Sequence, residues 1–228
     1  MTQVRATYPW PIFGPLEPRR TALIVIDMQV DFCAPGGWVD QLGEPLDNTR
    51  SVIEPVCRLL DVARKGGLTI IHTRECHRPD LSDLNANKKW RSSVRELGIG
   101  DLGVCGRVLV QGEDSSAIVP ELAPEPGEIV LDKPGKSAFF ATEFDNILRA
   151  RAIDALILAG VTSDCCVQAT FRDASDRGYD ALLVRDATAA VDDANHAAML
   201  ASLEAFGGRW GALAALVDVE TALASVSA

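Results

Sequence analysis

Residues 155–174 read ALILAGVTSDCCVQATFRDA. The first five positions are apolar without interruption, a small polar turn follows Gly160, and then Val167, Phe171 and Ala174 recur at helical spacing ahead of Gly178. Consecutive rather than alternating apolar residues are what a strand covered on both faces requires, so the stretch predicts a buried parallel strand turning sharply into a helix. Working outward, the same pattern repeats. Further strands are expected at 22–27, 68–73, 107–110, 128–131 and 181–184, and a late run at 212–217 can add another. Between them, Val52, Val56, Leu59 and Ala63 share a helical face before Gly66 and Gly67, with Pro55 near the helix start, and a third helix is expected over 193–206, stopped by Gly207 and Gly208. Alternating strands and helices predict a three-layer α/β/α sandwich around a doubly wound, mostly parallel sheet.

The 228 residues suit one domain spanning the whole chain, 1–228, and neither a repeat nor a low-complexity linker divides it. Residues 1–20 carry Pro9, Pro11, Pro15 and Pro18, which breaks any signal-peptide core and predicts an extended arm lying on the domain or on a neighbouring subunit. With 32 acidic against 22 basic residues the net charge is −10, and no basic run exists to neutralise phosphates. Nucleic acid and anionic membrane surfaces are therefore not expected partners, and no apolar stretch is long enough to span a bilayer. Six cysteines in a chain of this length do not make a disulfide framework, so reduced thiols and a cytoplasmic address are expected. The segment 74–106 lacks sustained periodicity and reads as a lid or binding loop.

In open parallel sheets ligands bind beyond the carboxyl ends of the strands. Asp27 stands at the tip of the first strand, Lys133 just past the 128–131 strand, and Cys165 and Cys166 where the helix after the 155–159 strand begins. An acid, an amine and a thiol can thus meet at one edge. Taken singly, an Asp closing a strand is more often a turn residue, a Lys before Pro a solvated one, and a buried Cys a small hydrophobe. Together they are more pointed, because a helix N-terminus favours the thiolate, a carboxylate can take the thiol proton, and a lysine can hold that carboxylate.

ALIVIDMQVDF (22–32), VLDKPGKSAFFATEFD (130–145) and LAGVTSDCCVQATFRDA (158–174) resemble, in order, the three signature segments of the isochorismatase-like cysteine hydrolases. The resemblance implies a doubly wound fold around a six-stranded parallel sheet and an Asp-Lys-Cys triad for amide hydrolysis, falling on Asp27, Lys133 and Cys166. In the family pattern the nucleophile precedes a Val and lies six residues after the Gly, which selects Cys166 over Cys165; the latter reads as a packing residue, with a thiol redox role as the alternative. The resemblance also implies a cis peptide at Val161-Thr162 and an oxyanion hole formed by the N–H groups of Thr162 and Cys166. Ser163 departs from the Thr of many relatives but keeps the hydroxyl. No metal is expected: metal-binding relatives use a carboxylate with paired histidines after the second strand, whereas His77 stands alone there, His72 lies within a strand and His196 on a helix.

HTRECHRPDLSDLNANKKWRS (72–92), YPWP (8–11) and GDLGVCGR (100–107) resemble the branch of that family that hydrolyses biuret and related linear ureides. Asn87, Lys88 and Arg91 can donate to carbonyl oxygens and Phe32 can press on a planar urea unit, although each can equally be a surface residue. Relatives of the biuret branch are expected to carry Gln immediately before the late Gly-Gly, where this chain has Phe206. An aromatic cannot make those hydrogen bonds, which turns the expectation from biuret to the longer triuret, with carboxybiuret and ammonia as products. Biuret, and ureidoacrylate or another N-carbamoyl amide, remain alternatives. Vinyl-ether hydrolysis is a poorer match, because those relatives lack the cysteine, and a non-catalytic thiol-sensing module is the remaining rival. No cofactor is required. A homotetramer is implied, with Trp10 and Phe13 of the arm packed on a neighbour.

Overall fold

The computed structural model describes residues 2–226. Its strands are β1 Thr21–Ile26, β2 Thr69–Glu75, β3 Leu102–Gly103, β4 Gly106–Arg107, β5 Ile129–Lys133, β6 Ala155–Val161, β7 Asp180–Ala189 and β8 Ala212–Ala214. Six of these form one sheet in the order β5-β2-β1-β6-β7-β8, parallel throughout, while β3 and β4 make a separate small hairpin. The chain starts at the centre with β1, winds outward through β2 to β5, then crosses to β6 and winds the other way. This is the doubly wound α/β/α architecture.

Period-two alternation along the central strands divides the core into two layers. From β1, Leu23 and Val25 join Val56, Leu59 and Ala63 of the helix Ile53–Gly66 and Val219 and Leu223 of the helix Leu216–Val226. Ala22, Ile24 and Ile26 face the opposite way, onto Leu148 of Phe144–Ala150, Phe171 of Gln168–Asp176 and Leu203 of Asp193–Gly208. The helix Ile53–Gly66 stops where expected, at Gly67, whose left-handed φ of 72° lets its N–H close the last turn.

Three expectations are corrected. Residues 107–110 form no strand of the main sheet; the sixth strand is β8. Gly106 and Leu109 take positive φ values of 114° and 49°, and the Leu109 N–H donates to the Asp31 carboxylate at 2.8 Å, so the run folds as a loop that joins the chain beyond β2 only by an isolated bridge between Val110 and His77. The segment 74–106 holds the helix Ala86–Ser92, capped by Asn85, which accepts from the Lys88 N–H. The arm takes the first of its two expected placements, on its own domain, and what is corrected is the packing of Trp10 on a neighbour: the Thr7 N–H donates to the Leu213 carbonyl, the Ile12 N–H to Asp180, and Trp10 is fully buried within the chain. Phe13, in contrast, is 93% exposed.

Candidate active site

The site is built where β1, β2, β5 and β6 end side by side. β6 can lie against β1 because Gly160 has no side chain; a Cβ there would sit 2.1 Å from the Ile26 carbonyl oxygen, and φ is +110°. The Val161-Thr162 peptide that follows is cis, and residues Ser163–Val167 form a single π-helical turn that carries Cys166 into the interior, 3% exposed. Ser163 is fixed from behind by a 2.8 Å hydrogen bond between its Oγ and Nδ1 of His196.

Asp27 follows β1 in a left-handed conformation (φ 50°), which ends the strand and turns the carboxylate across the sheet edge. The Thr73 hydroxyl donates to its Oδ1 at 2.6 Å, and the Lys133 ammonium lies 2.7 Å from its Oδ2. All three side chains are buried. Burial alone would strip the proton from Lys133, but Asp27, with help from Cys166 and Glu75, reverses this and holds the ammonium above its ordinary range.

A fourth ionisable group stands beside them. Glu75, the last residue of β2, is wholly buried, and the Cys166 thiol donates to its Oε2 at 3.3 Å. Lys88 Nζ lies 2.6 Å and Lys136 Nζ 3.0 Å from Oε1, and Lys133 Nζ is 4.0 Å from Oε2. Burial would raise this carboxyl, yet Lys136, Lys133 and Lys88 together hold it well below the usual carboxylate range, so it is ionised. The Cys166 thiol is pushed up by its hydrogen bond with Cys165 and by burial, with Asp27 and Glu75 adding to the effect and Lys133 opposing it. Cys165 moves the other way, to about 7, lowered by its hydrogen bond with Cys166, with burial opposing and Lys136 assisting. Asp27, Glu75 and Cys166 offer donor atoms within 4.8 Å of one another, a spacing a metal could use, but the ammonium groups of Lys88, Lys133 and Lys136 already supply the positive charge at these oxygens.

A cavity of about 530 Å³, lined by Trp38, Lys88, Arg91, Lys136, Phe140 and Asp173 among others, adjoins this cluster through Lys88 and Lys136, which reach from its wall to Glu75. Of the residues expected at the site, Asp27, Lys133 and Cys166 come together, Thr162 follows the cis peptide and Cys166 stands within the π turn. Lys88 and Arg91 line the cavity. Phe32 is buried beside Trp38, at 6.4 Å between ring centroids, and does not line it. Asn87 is exposed on the outside of its short helix. Phe206 occupies a non-helical kink at 205–207, is 86% exposed, and stacks on Arg209 away from this cavity.

Sequence reasoning missed Glu75 and Lys136. The strand was expected to end at 73, because Arg74 and Glu75 look like loop; the rule that chemistry sits at strand ends would have found Glu75 had β2 been read two residues further. Lys136 lies in the same KPGK segment as Lys133.

Comparison with known proteins agrees with this geometry. The isochorismatase domain model matches residues 21–215. The ureidoacrylate amidohydrolase RutB of Azorhizobium caulinodans is 33% identical over 171 residues, covering 74% of this chain and 75% of that one. The protein of the same name from Methylobacterium radiotolerans is 33% identical over 197 residues, covering 85% and 76%. Among solved structures, a cysteine hydrolase from Pseudomonas syringae superposes with a TM-score of 0.78 at 26% identity, over 99% of each chain. An N-carbamoylsarcosine amidase from Thermoplasma acidophilum superposes with a TM-score of 0.65 at 27% identity, covering 86% of this chain and 96% of that one. With its sheet, its carboxyl-end cluster and this match over most of its length, the chain belongs to the isochorismatase family and is a hydrolase of amide carbon–nitrogen bonds.

Proposed function

We propose that the protein removes ammonia from a small linear ureide by thiol catalysis. The observation that carries this reading is the dry Asp27–Lys133 pair beside the Cys166 thiol, with a cavity rich in cationic donors adjoining the cluster. Asp27 accepts the thiol proton while Cys166 Sγ bonds to a terminal carbonyl carbon, and the oxyanion is held by the N–H groups of Thr162 and Cys166. Asp27 returns the proton to the departing nitrogen, which leaves as ammonia. Water deprotonated by Asp27 then adds to the thioester, the C–S bond breaks, and the thiol regains its proton. Lys133 holds the Asp27 carboxyl group in place throughout. No cofactor takes part.

Triuret is the preferred substrate, with carboxybiuret as the first product. Its three carbonyl groups match the donors Lys88, Lys136 and Arg91, and a cavity of about 530 Å³ accepts its length. Phe206 lies outside this cavity, so the preference rests on carbonyl density and reach rather than on that residue. A second reading, an anionic N-carbamoyl substrate such as ureidoacrylate, is favoured by the same cationic lining and by the names of the relatives. Assembly as a tetramer would cover the exposed Phe13. Ammonia release measured on triuret, biuret, ureidoacrylate and simple amides decides between these readings. Triuret is expected to give the highest kcat/KM; ureidoacrylate ahead of it moves the assignment to the second reading, and no release from any ureide overturns it.

A further inference from the structure

We propose that Glu75 acts as a substrate-displaced hold on the nucleophile: in the free enzyme its carboxylate keeps the Cys166 proton turned away from Asp27, and an N–H of the incoming ureide takes that acceptor over, releasing the thiol to Asp27. The inference rests on the ureide reading above for the identity of the displacing group.

The geometry supports each part. The thiol hydrogen bond runs to Glu75 Oε2, whereas the oxygens of Asp27 are engaged by Thr73 and Lys133. Cys166 Sγ nonetheless lies within 4.8 Å of donor atoms on both carboxylates, so turning the S–H bond suffices to redirect the proton. Glu75 is a poor base, since Lys88, Lys133 and Lys136 surround it, stabilise its negative charge and so weaken its affinity for a proton. Its backbone is clamped by Gln29, whose Oε1 accepts the Glu75 N–H at 2.7 Å and whose Nε2 donates to the Glu75 carbonyl at 3.1 Å. The acceptor therefore stays in place while its ligands exchange. Among the groups it binds, the thiol is the weakest donor and the one a urea N–H replaces most readily. Lys88 and Lys136, which hold Glu75, also line the cavity, so a ligand entering there meets the ammonium groups bound to this carboxylate.

The test uses the intact enzyme without substrate. Alkylation of Cys166 by iodoacetamide, located by mass spectrometry to separate it from Cys165, is followed against pH in the wild type, Glu75→Gln and Glu75→Asp. The charges facing the thiol are Asp27, Glu75, Lys133 and Lys136, with Cys165 alongside, and Glu75→Gln removes one of the two that disfavour the thiolate. The midpoint of the alkylation curve is expected to fall, with modification at pH 7 rising about tenfold, while kcat/KM for ammonia release falls about 100-fold. Glu75→Asp keeps the charge that the lysines need but withdraws the oxygens from sulfur, and is expected to shift the midpoint in the same direction by less. A loosened fold would raise the plateau of the curve without moving its midpoint. Midpoints that stay put or rise in both variants overturn the proposal. A lowered midpoint in an enzyme that turns over no ureide supports the hold on the thiol and removes only the substrate assignment.

Discussion

The two ends of the central sheet each carry a cavity and each carry opposite charges, and they differ in how far water reaches. At the carboxyl end, Lys133 and Asp27 are 2.7 Å apart with both side chains fully buried. At the amino end, a cavity of about 380 Å³ is lined by Ile12, Phe13, Trp210 and the Arg20–Asp154 ion pair, whose side chains are 55% and 51% exposed. An aspartate paired with a basic side chain thus appears in both places. In water their attraction is screened and changes little, whereas in a dry site it fixes which group holds a proton and in which direction it points. The carboxyl end is consequently the reactive one, although both ends offer room for a small molecule.

The sharpest way to break this contrast is to remove the nucleophile. Cys166→Ala is expected to lower kcat by roughly 10⁴ or more, and Cys165→Ala to leave most of the activity. Steady-state ammonia release checks both; if Cys165 is the residue whose loss silences the enzyme, the chemistry belongs one position earlier. Next in size is the buried pair. Lys133→Met leaves Asp27 dry and without a counter-charge, which is expected to cost about 3–5 kcal/mol of stability in denaturant unfolding as well as turnover. A variant as stable as the wild type would mean that water reaches Asp27.

A smaller effect concerns acid stability at the amino end of β5. Glu128 accepts from Arg64 and from His72. Burial raises its carboxyl, but these partners and the Glu125 backbone N–H bring it down to about 2, from an ordinary 4.5. A carboxyl depressed on folding contributes stability that is complete above the unfolded value and fades as pH drops from about 4.5 towards about 2. Thermal melting across that window should therefore steepen in the wild type relative to Glu128→Gln, and parallel curves would exclude the contribution. Smallest of all, Arg20→Ala at the solvated pair is expected to leave both melting temperature and turnover unchanged. A clear loss of activity there would show the two ends to be coupled.

Much of this protein was legible along the chain. Apolar runs without alternation foretold buried parallel strands, and the positions of Asp27, Lys133 and Cys166 at strand ends foretold that they meet, because a parallel sheet carries its strand ends to one edge regardless of loop detail. The positive-φ residue Gly67 marked a helix end for the same local reason. What the chain alone could not decide depends on partners distant in sequence. Glu75 reads as a loop residue until Lys88 and the Lys133–Lys136 segment, distant from it in sequence, surround its buried carboxylate. Residues 107–110 have strand composition but are captured by the Asp31 carboxylate. Trp10 looks available to a neighbour until the arm folds onto β8, and Phe206 looks like a pocket residue until the kink at 205–207 turns it outward. Local backbone preference and hydrophobic period are properties of short stretches and can be read in order; desolvation and charge balance are properties of a place, and only the packed structure determines which residues share it.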